Sequence, residues 1–333
     1  MATIKEVASK AGVSICTVSR ALAGKDMIKP ATRAAVLQAA RELNYEPNHV
    51  AQSLKKGKTN TLGLILPDIT NPYYPKLAKY IEKSTAKRGY MVLLCNSDNQ
   101  IKKERQFVDM LKARNVDGVL VAPVSNEIKH IQKLKSSGIP YVILNRNYPE
   151  DLCCIASDNY YGAYVMTQYL MKRGHKRIGG LFQGFHISIY QERYQGMCDA
   201  MREQGLAIDE SLLLTDLDDD NDRYKQIEKL ICRENRPTAI FASNDMLAIN
   251  VYRAAYEQGI RIPENLSVAG YDDIPMALMV NPPLTTYLQP EDQLSELAVD
   301  YLASMIDGGE AYTHQKLRGS VIERKSVSVI QKM

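Results

Sequence analysis

At 333 residues, 45% hydrophobic and 24% charged, the chain has the composition of an ordinary globular protein and room for two domains. Its longest apolar run falls far short of the roughly 18–20 residues a membrane span needs, and MATIKEVASK lacks the apolar core of a secretory leader. The net charge of +4 is unevenly spread: the first 60 residues carry ten Lys and Arg against four Asp and Glu, the remainder 32 against 34. A basic segment on a near-neutral body is the footprint of a polyanion-binding module.

TIKE, at residues 3–6, reads as a capping box in which Thr3 caps a helix and Glu6 reaches back. Ile4, Val7, Ala8 and Ala11 then form one apolar stripe. Gly12 ends this helix, and Ser14 caps a second running to about residue 23. A third begins near Pro30, a residue favoured at the first helical position, and buries Val36, Ala40 and Leu43. Two helices joined by a short Gly-containing turn form a helix-turn-helix. The second helix presents Ser14, Ile15, Cys16, Thr17, Ser19 and Arg20 where a surface helix would carry Glu and Lys. Glu there would be repelled by phosphate. Small hydroxyls allow close approach to DNA, Arg20 can fork onto guanine, and Ile15 can touch a thymine methyl. Next, EPNHVAQSLKKGKTNT reads as a basic linker with a short helix-capable run.

From residue 60, apolar runs over 62–66, 91–95, 118–122, 141–144, 177–181, 239–242 and 267–270 alternate with helical segments over 75–88, 101–113, 159–173, 193–204 and 245–258. Such alternation means parallel sheets covered by helices, with ligands at the carboxyl ends of the strands. A break near 154–157 divides the pattern into two lobes. Six cysteines, at 16, 95, 153, 154, 198 and 232, show no metal-ligand spacing and suit reduced, mostly buried thiols in a cytoplasmic protein. Five scattered histidines, with no phosphate loop or Gly-x-Ser-x-Gly motif, give catalysis no support; His175 in RGHKRI reads as structural.

The motifs TIKEVASKAGVSICTVSRAL, LNYEPN, VAQSL, LGLILPDITNPYY, VDGVLV, SDNYYGAY, RGHKRIGG, PTAIFASND, IPENLSVAGYDD and PPLTTYLQP occur in order along the chain. Together they resemble the lactose-repressor (LacI/GalR) family of bacterial transcription regulators. The resemblance implies an α/β protein: a small all-α helix-turn-helix domain (1–46), a hinge helix and linker (47–59), and a two-lobed periplasmic-binding-protein-like domain with parallel sheets (60–333). Lobe one is expected over 60–155 and 285–318, lobe two over 156–284 and 319–333. The implied DNA contacts are Thr3, Ser14, Ile15, Cys16, Thr17, Ser19, Arg20, Thr32, Asn48, His49, Ala51 and Leu54. Leu54 would wedge a base step open in the minor groove, where unstacking is offset by contacts to the bent duplex. The implied effector residues are Tyr73, Tyr74, Asn145, Arg146, Arg193, Asn244, Asp272 and Gln289.

Expected partners are palindromic double-stranded operator DNA, a carbohydrate-like effector and a second copy of the chain, with no cofactor, metal or membrane. No leucine-heptad tail follows IERKSVSVIQKM, which favours a dimer over a tetramer. The chain departs from the family's usual pattern at two places. Lys29 stands where a capping Ser or Thr is usual. Asn145 stands where many members have Asp before Arg, which makes the cleft less acidic and favours a sugar acid or sugar phosphate. A solute-binding component of a sugar transporter would explain the large domain but not the basic N-terminal helices.

Overall fold

The computed structural model describes residues 2–22, 28–45, 57–148, 152–217, 219–310 and 314–330. Two compact units divide the chain, residues 1–59 and 60–333. In the first, α1 (Ile4–Ala11), α2 (Ile15–Leu22) and α3 (Pro30–Glu42) surround a small core of Val7, Ala8, Val18, Ala21, Val36, Ala39 and Ala40. Local chemistry sets their ends. The Thr3–Glu6 capping box is closed in both directions, and Gly12 takes the left-handed conformation (φ 64°) that terminates α1. Ser14 Oγ accepts from the Thr17 amide at 3.1 Å at the start of α2. Lys29 provides no side-chain cap for α3, which starts on Pro30 instead.

The second unit contains two six-stranded sheets. In chain order its elements are β1 (Thr61–Leu66), α4 (Tyr73–Ala86), β2 (Met91–Asn96), α5 (Ile101–Ala113), β3 (Gly118–Val121), α6 (Lys129–Ser136), β4 (Tyr141–Leu144) and β5 (Cys154–Ser157). There follow α7 (Asn159–Lys172), β6 (Ile178–Leu181), α8 (Ser188–Glu203), β7 (Leu213–Leu214), α9 (Asp220–Ile231), β8 (Ala239–Ala242), α10 (Asp245–Glu257), β9 (Ser267–Asp272), β10 (Thr285–Leu288), α11 (Glu291–Ile306), β11 (Gln315–Leu317) and β12 (Ser320–Ile322). Sheet one runs β11-β5-β4-β3-β1-β2 and sheet two β12-β10-β9-β8-β6-β7; among the described residues only β12 is antiparallel to its neighbour. Both are doubly wound, so each has a point beside its first strand where the winding reverses and the strand ends open a crevice.

Burial on both faces explains the near-continuous apolar strands. Leu62, Leu64 and Leu66 of β1 enter the core under α4 and α11, while Ile65 enters the one under α5 and α6. Sheet two has an equivalent core on each face.

Three expectations are corrected. Residues 154–157 form a strand of sheet one, not merely the break between lobes. The segment 285–288 pairs with β9 in sheet two, so the chain returns to lobe one only after Leu288. It then supplies α11, whose Leu294, Ala298, Val299 and Leu302 pack under sheet one. The helix expected from 193 begins at Ser188 and carries Arg193 within its second turn.

Four cysteines are buried and two, Cys16 and Cys232, are exposed, and none forms a disulfide. Among the described residues no helix is long and apolar enough to cross a membrane.

Candidate ligand cleft and nucleic-acid interface

On the first unit, Ser14, Ile15, Cys16, Ser19 and Arg20 are exposed, while Thr17 and Thr32 are half-buried. Val18 and Ala21 point into the three-helix core, so burial and exposure alternate at helical spacing along α2. Ile15 stands 44% exposed among polar neighbours, an arrangement that burial alone does not favour. Ser14 and Thr17 are tied to each other at 2.9 Å, and Thr3 is occupied by its cap. These three therefore offer positioned hydroxyls, whereas Cys16 and Arg20 reach outward. Asn48, His49, Ala51 and Leu54 lie outside the described residues.

In the second unit the carboxyl ends of the two sheets face each other across a cleft. Asn71, Tyr73, Tyr74, Asn145, Asn159, Ile189, Tyr190, Arg193, Asp272 and Gln289 line it. Tyr73 and Tyr74 open α4 just beyond β1, with their rings edge-to-face at 5.2 Å. Asn145 follows β4 and donates through Nδ2 to the Tyr73 hydroxyl at 2.7 Å. Arg193 and Asp272 come from lobe two and sit 3.6 Å apart, both almost fully buried. The guanidinium lies 3.6 Å over the Tyr271 ring, donates through Nε to Asn159 Oδ1 at 2.9 Å, and bonds the Ser243 carbonyl. A planar cation held on so many sides has little freedom left, which preorganises it for a ligand.

Asp272 ends β9 with φ 113°, a conformation rare for any residue but Gly. It is held there by Arg193 and by Gln289, whose Nε2 donates to Oδ1 at 2.6 Å. Burial pushes its carboxyl from 3.8 up to about 6, against the opposing pull of Arg193, Gln289 and Lys76. Strain of this kind persists where surroundings over-determine it, commonly at ligand sites. Behind it Asp245, which burial and the Asp272 charge hold well above the carboxylate range, accepts from Thr286 Oγ1 at 2.6 Å and from the Ile274 amide at 2.9 Å.

Two sequence candidates stand behind the wall instead of in it. Asn244 uses its Oδ1 to cap α10, accepting from the Leu247 amide at 2.8 Å, and its side chain also bonds the Tyr190 hydroxyl. Arg146 is 2% exposed and donates to the Asn145 carbonyl at 2.8 Å. Four residues that sequence reasoning missed belong to the cleft. Asn159 lies just beyond β5, a strand that the alternating apolar pattern does not mark. Ile189 and Tyr190 lie in the first turn of α8, ahead of residue 193 where the sequence places the start of that helix. Asn71 lies two residues ahead of Tyr73 and bonds its amide at 3.1 Å.

The lobes are closed on each other. The free space among the lining side chains is about 20 Å³, room for roughly one water molecule. Polar tethers cross the rim. Asn147 Nδ2 donates to Glu192 Oε1 at 2.6 Å, Asn126 Nδ2 to the His186 carbonyl at 3.2 Å, and Lys76 Nζ to the Asp273 carbonyl at 3.4 Å. The chain crosses between the lobes three times, after β5, after β10 and between β11 and β12, which allows hinge motion, and a ligand larger than water requires it.

The comparisons with known proteins agree with this architecture. Residues 59–324 match the model for periplasmic binding proteins and the sugar binding domain of the LacI family, and residues 3–48 match that for bacterial regulatory proteins of the lacI family. The HTH-type transcriptional repressor PurR of Haemophilus influenzae is 35% identical over 335 residues, covering 99% of this chain and all of that protein. The ribose operon repressor of Halalkalibacterium halodurans is 36% identical over 309 residues, covering 92% of this chain and 91% of its own. The fold is that of the lac repressor dimer bound to operator and the anti-inducer ONPF, with TM-score 0.88 at 24% identity over 98% of this chain and 99% of that one. With both family models matched in order and relatives spanning nearly its whole length, the chain belongs to the LacI family and is a DNA-binding transcriptional repressor, not an enzyme.

Proposed function

We propose that the protein works in the cytoplasm as a homodimer that reads a palindromic operator, represses carbohydrate-utilisation genes, and changes operator affinity when a sugar-like effector occupies the interlobe cleft. The observation that carries the effector reading is the buried Arg193–Asp272 pair framed by Tyr73, Tyr74 and Tyr190. A guanidinium, a carboxylate and the carboxamides of Asn71, Asn145, Asn159 and Gln289 bind hydroxyls, while the rings offer flat apolar surface to a sugar's C–H face. A relative named for the ribose operon supports the same ligand class.

On the DNA side, Ser14, Thr17, Ser19, Thr3 and Thr32 position α2 in the major groove, and Ile15, Cys16 and Arg20 select bases. Asn48, His49, Ala51 and Leu54 act in the minor groove. One such module makes few base contacts, so two copies are needed for typical specific affinity. Exposed Met91 and Leu94 on the edge strand β2, with Leu278 and Met279 beyond β9, give a second copy apolar surface to cover. Coupling follows from linkage: the effector favours one lobe arrangement, that arrangement favours one hinge geometry, and the effect is about 1–3 kcal/mol in either direction.

The test is fluorescence anisotropy of the full-length protein on DNA selected from a random palindromic library, with and without a panel of sugars and sugar acids. Tight, salt-dependent binding altered by one compound is the expected result. Tight small-molecule binding without any sequence-selective DNA binding would favour the transporter reading instead.

A further inference from the structure

We propose that Tyr287 is the positioning residue through which the cleft acts on the hinge: its hydroxyl holds the Gly319 amide in the closed arrangement of the lobes and releases it in the other. This rests on the cleft being the effector site and goes beyond it in assigning the device that transmits its occupancy.

The three crossings between the lobes are tied to one another. Asp158 follows β5 at the first, Gln289 follows β10 at the second, and Arg318 and Gly319 join β11 to β12 at the third. The Asp158 amide donates to the Leu317 carbonyl at 2.7 Å. Arg318 Nε donates to Asp158 Oδ2 at 3.1 Å, and its guanidinium lies 4.1 Å over the Tyr161 ring. Gly319 lies directly against the Leu288 carbonyl, where any Cβ would collide. Strands packed so closely cannot turn independently, so a bond that pins one crossing restrains the others.

Arg193 reaches each crossing by a separate route. Its Nε bonds Asn159, the residue after Asp158, and its carboxylate partner Asp272 is held by Gln289. The third route is longer. Its guanidinium rests 3.6 Å over Tyr271, the Tyr271 and Tyr287 rings lie with centroids 4.8 Å apart, and the Tyr287 hydroxyl accepts from the Gly319 amide at 2.7 Å. The rings have little room to absorb a shift of the guanidinium, since a Cβ on Gly162 would meet both. Tyr287 is fully buried and is not among the residues that line the cleft, so its hydroxyl does not act on an effector by contact. The pairing of β10 with β12 begins at Ser320, opposite Leu288, which leaves the Gly319 amide just outside the ladder and satisfied by a side chain instead. When β11 rotates with lobe one, Arg318 and Gly319 take up the rotation, and that side-chain bond is the one it strains.

The test uses full-length native protein, Tyr287→Phe and Val321→Ala on an operator selected from a random palindromic library. The probes are D-ribose, D-xylulose, D-glucose, cellobiose and D-gluconate. Tyr287→Phe keeps the ring and removes only the hydroxyl. Val321→Ala weakens packing opposite Tyr287 in the same strand pair and leaves the hydroxyl in place. The quantity read is the ratio of operator dissociation constants with and without a probe, which loss of coupling changes and loss of stability alone does not. A neutral hydrogen bond is equivalent to about three- to tenfold in an equilibrium, so in Tyr287→Phe the ratio moves at least about threefold toward one. In Val321→Ala it stays within about twofold of native, and Tyr287→Phe still binds the probe. A second readout needs neither probe nor variant: operator alone changes hydrogen exchange at the Gly319 amide of the native protein by at least about threefold.

An unchanged ratio in Tyr287→Phe overturns the proposal while leaving the cleft as the effector site. So do equal losses in the two variants, Gly319 exchange that is indifferent to operator, or probe binding abolished in Tyr287→Phe, which makes the hydroxyl a support of the cleft itself. If no probe binds the native protein and none alters its operator affinity, the sugar-site reading fails, and the proposal with it.

Discussion

Glu291 makes the cleft's stability depend on pH in a calculable way. It opens α11 almost fully buried, with Lys76 Nζ at 3.1 Å as its cation. Burial nevertheless prevails over Lys76 and pushes its carboxyl from 4.5 up to about 7. Asp272, likewise buried, moves from 3.8 to about 6. Both groups hold a proton more tightly folded than unfolded. Their contribution to stability is therefore complete below the unfolded values and is lost as pH rises through 6 and 7. With about 1.4 kcal/mol per pKa unit, lowering the pH from about 8 to about 5.5 recovers about 2 kcal/mol from Glu291 and about 1 kcal/mol from Asp272. Neighbouring Asp245 shifts in the same direction. His175, held below its ordinary range by burial, opposes them, since it must charge in acid once unfolded.

The assay is urea unfolding at both pH values for the native protein and Glu291→Gln, so that His175 and Asp272 cancel in the difference. The chain has 20 Tyr and no Trp, and Tyr45 is the lone Tyr before residue 60, so tyrosine fluorescence follows the two-lobed unit. The native protein should gain about 2 kcal/mol more than the variant on acidification. Equal gains in both would show that Glu291 does not titrate in this range, and the burial argument would be wrong.

Three further outcomes are expected. Thr3→Ala should cost the helix-turn-helix about 1 kcal/mol and Lys29→Ser should return about the same, the first removing a working cap and the second supplying an absent one; hydrogen exchange of the α1 and α3 amides reports both. Gly162→Ala would drive a Cβ into the Tyr271 hydroxyl and place it 2.8 Å from Tyr287, disturbing the ring on which Arg193 rests. It should lower stability by about 1–3 kcal/mol and weaken effector binding, whereas unchanged affinity would uncouple that ring from the site. Arg20→Ala should cost about 1–3 kcal/mol on the selected operator and relax the choice at one base pair, which a binding-site selection with the variant would reveal.

Much of this protein is legible in its sequence because the relevant signals are short-ranged. The capping box at Thr3 and Glu6, the left-handed Gly12, the Ser14 cap and Pro30 each act within a few residues, so the three helices and the missing cap at Lys29 can be read directly. Strands buried on both faces announce themselves as apolar runs, and the family motifs lead to Tyr73, Arg193, Asp272 and Gln289.

Only the tertiary structure decided which sheet owned β5 and β10, since CIAS and TTYL carry no local mark of their partners. That choice in turn brought Asn159 into the cleft. Arg146 and Arg193 look alike in sequence, and among the described residues the fold pairs Arg193 with a carboxylate and Arg146 with a backbone carbonyl. Capping is settled between near neighbours along the chain. Burial and the pairing of charges are settled between residues far apart in it, and no local pattern records them.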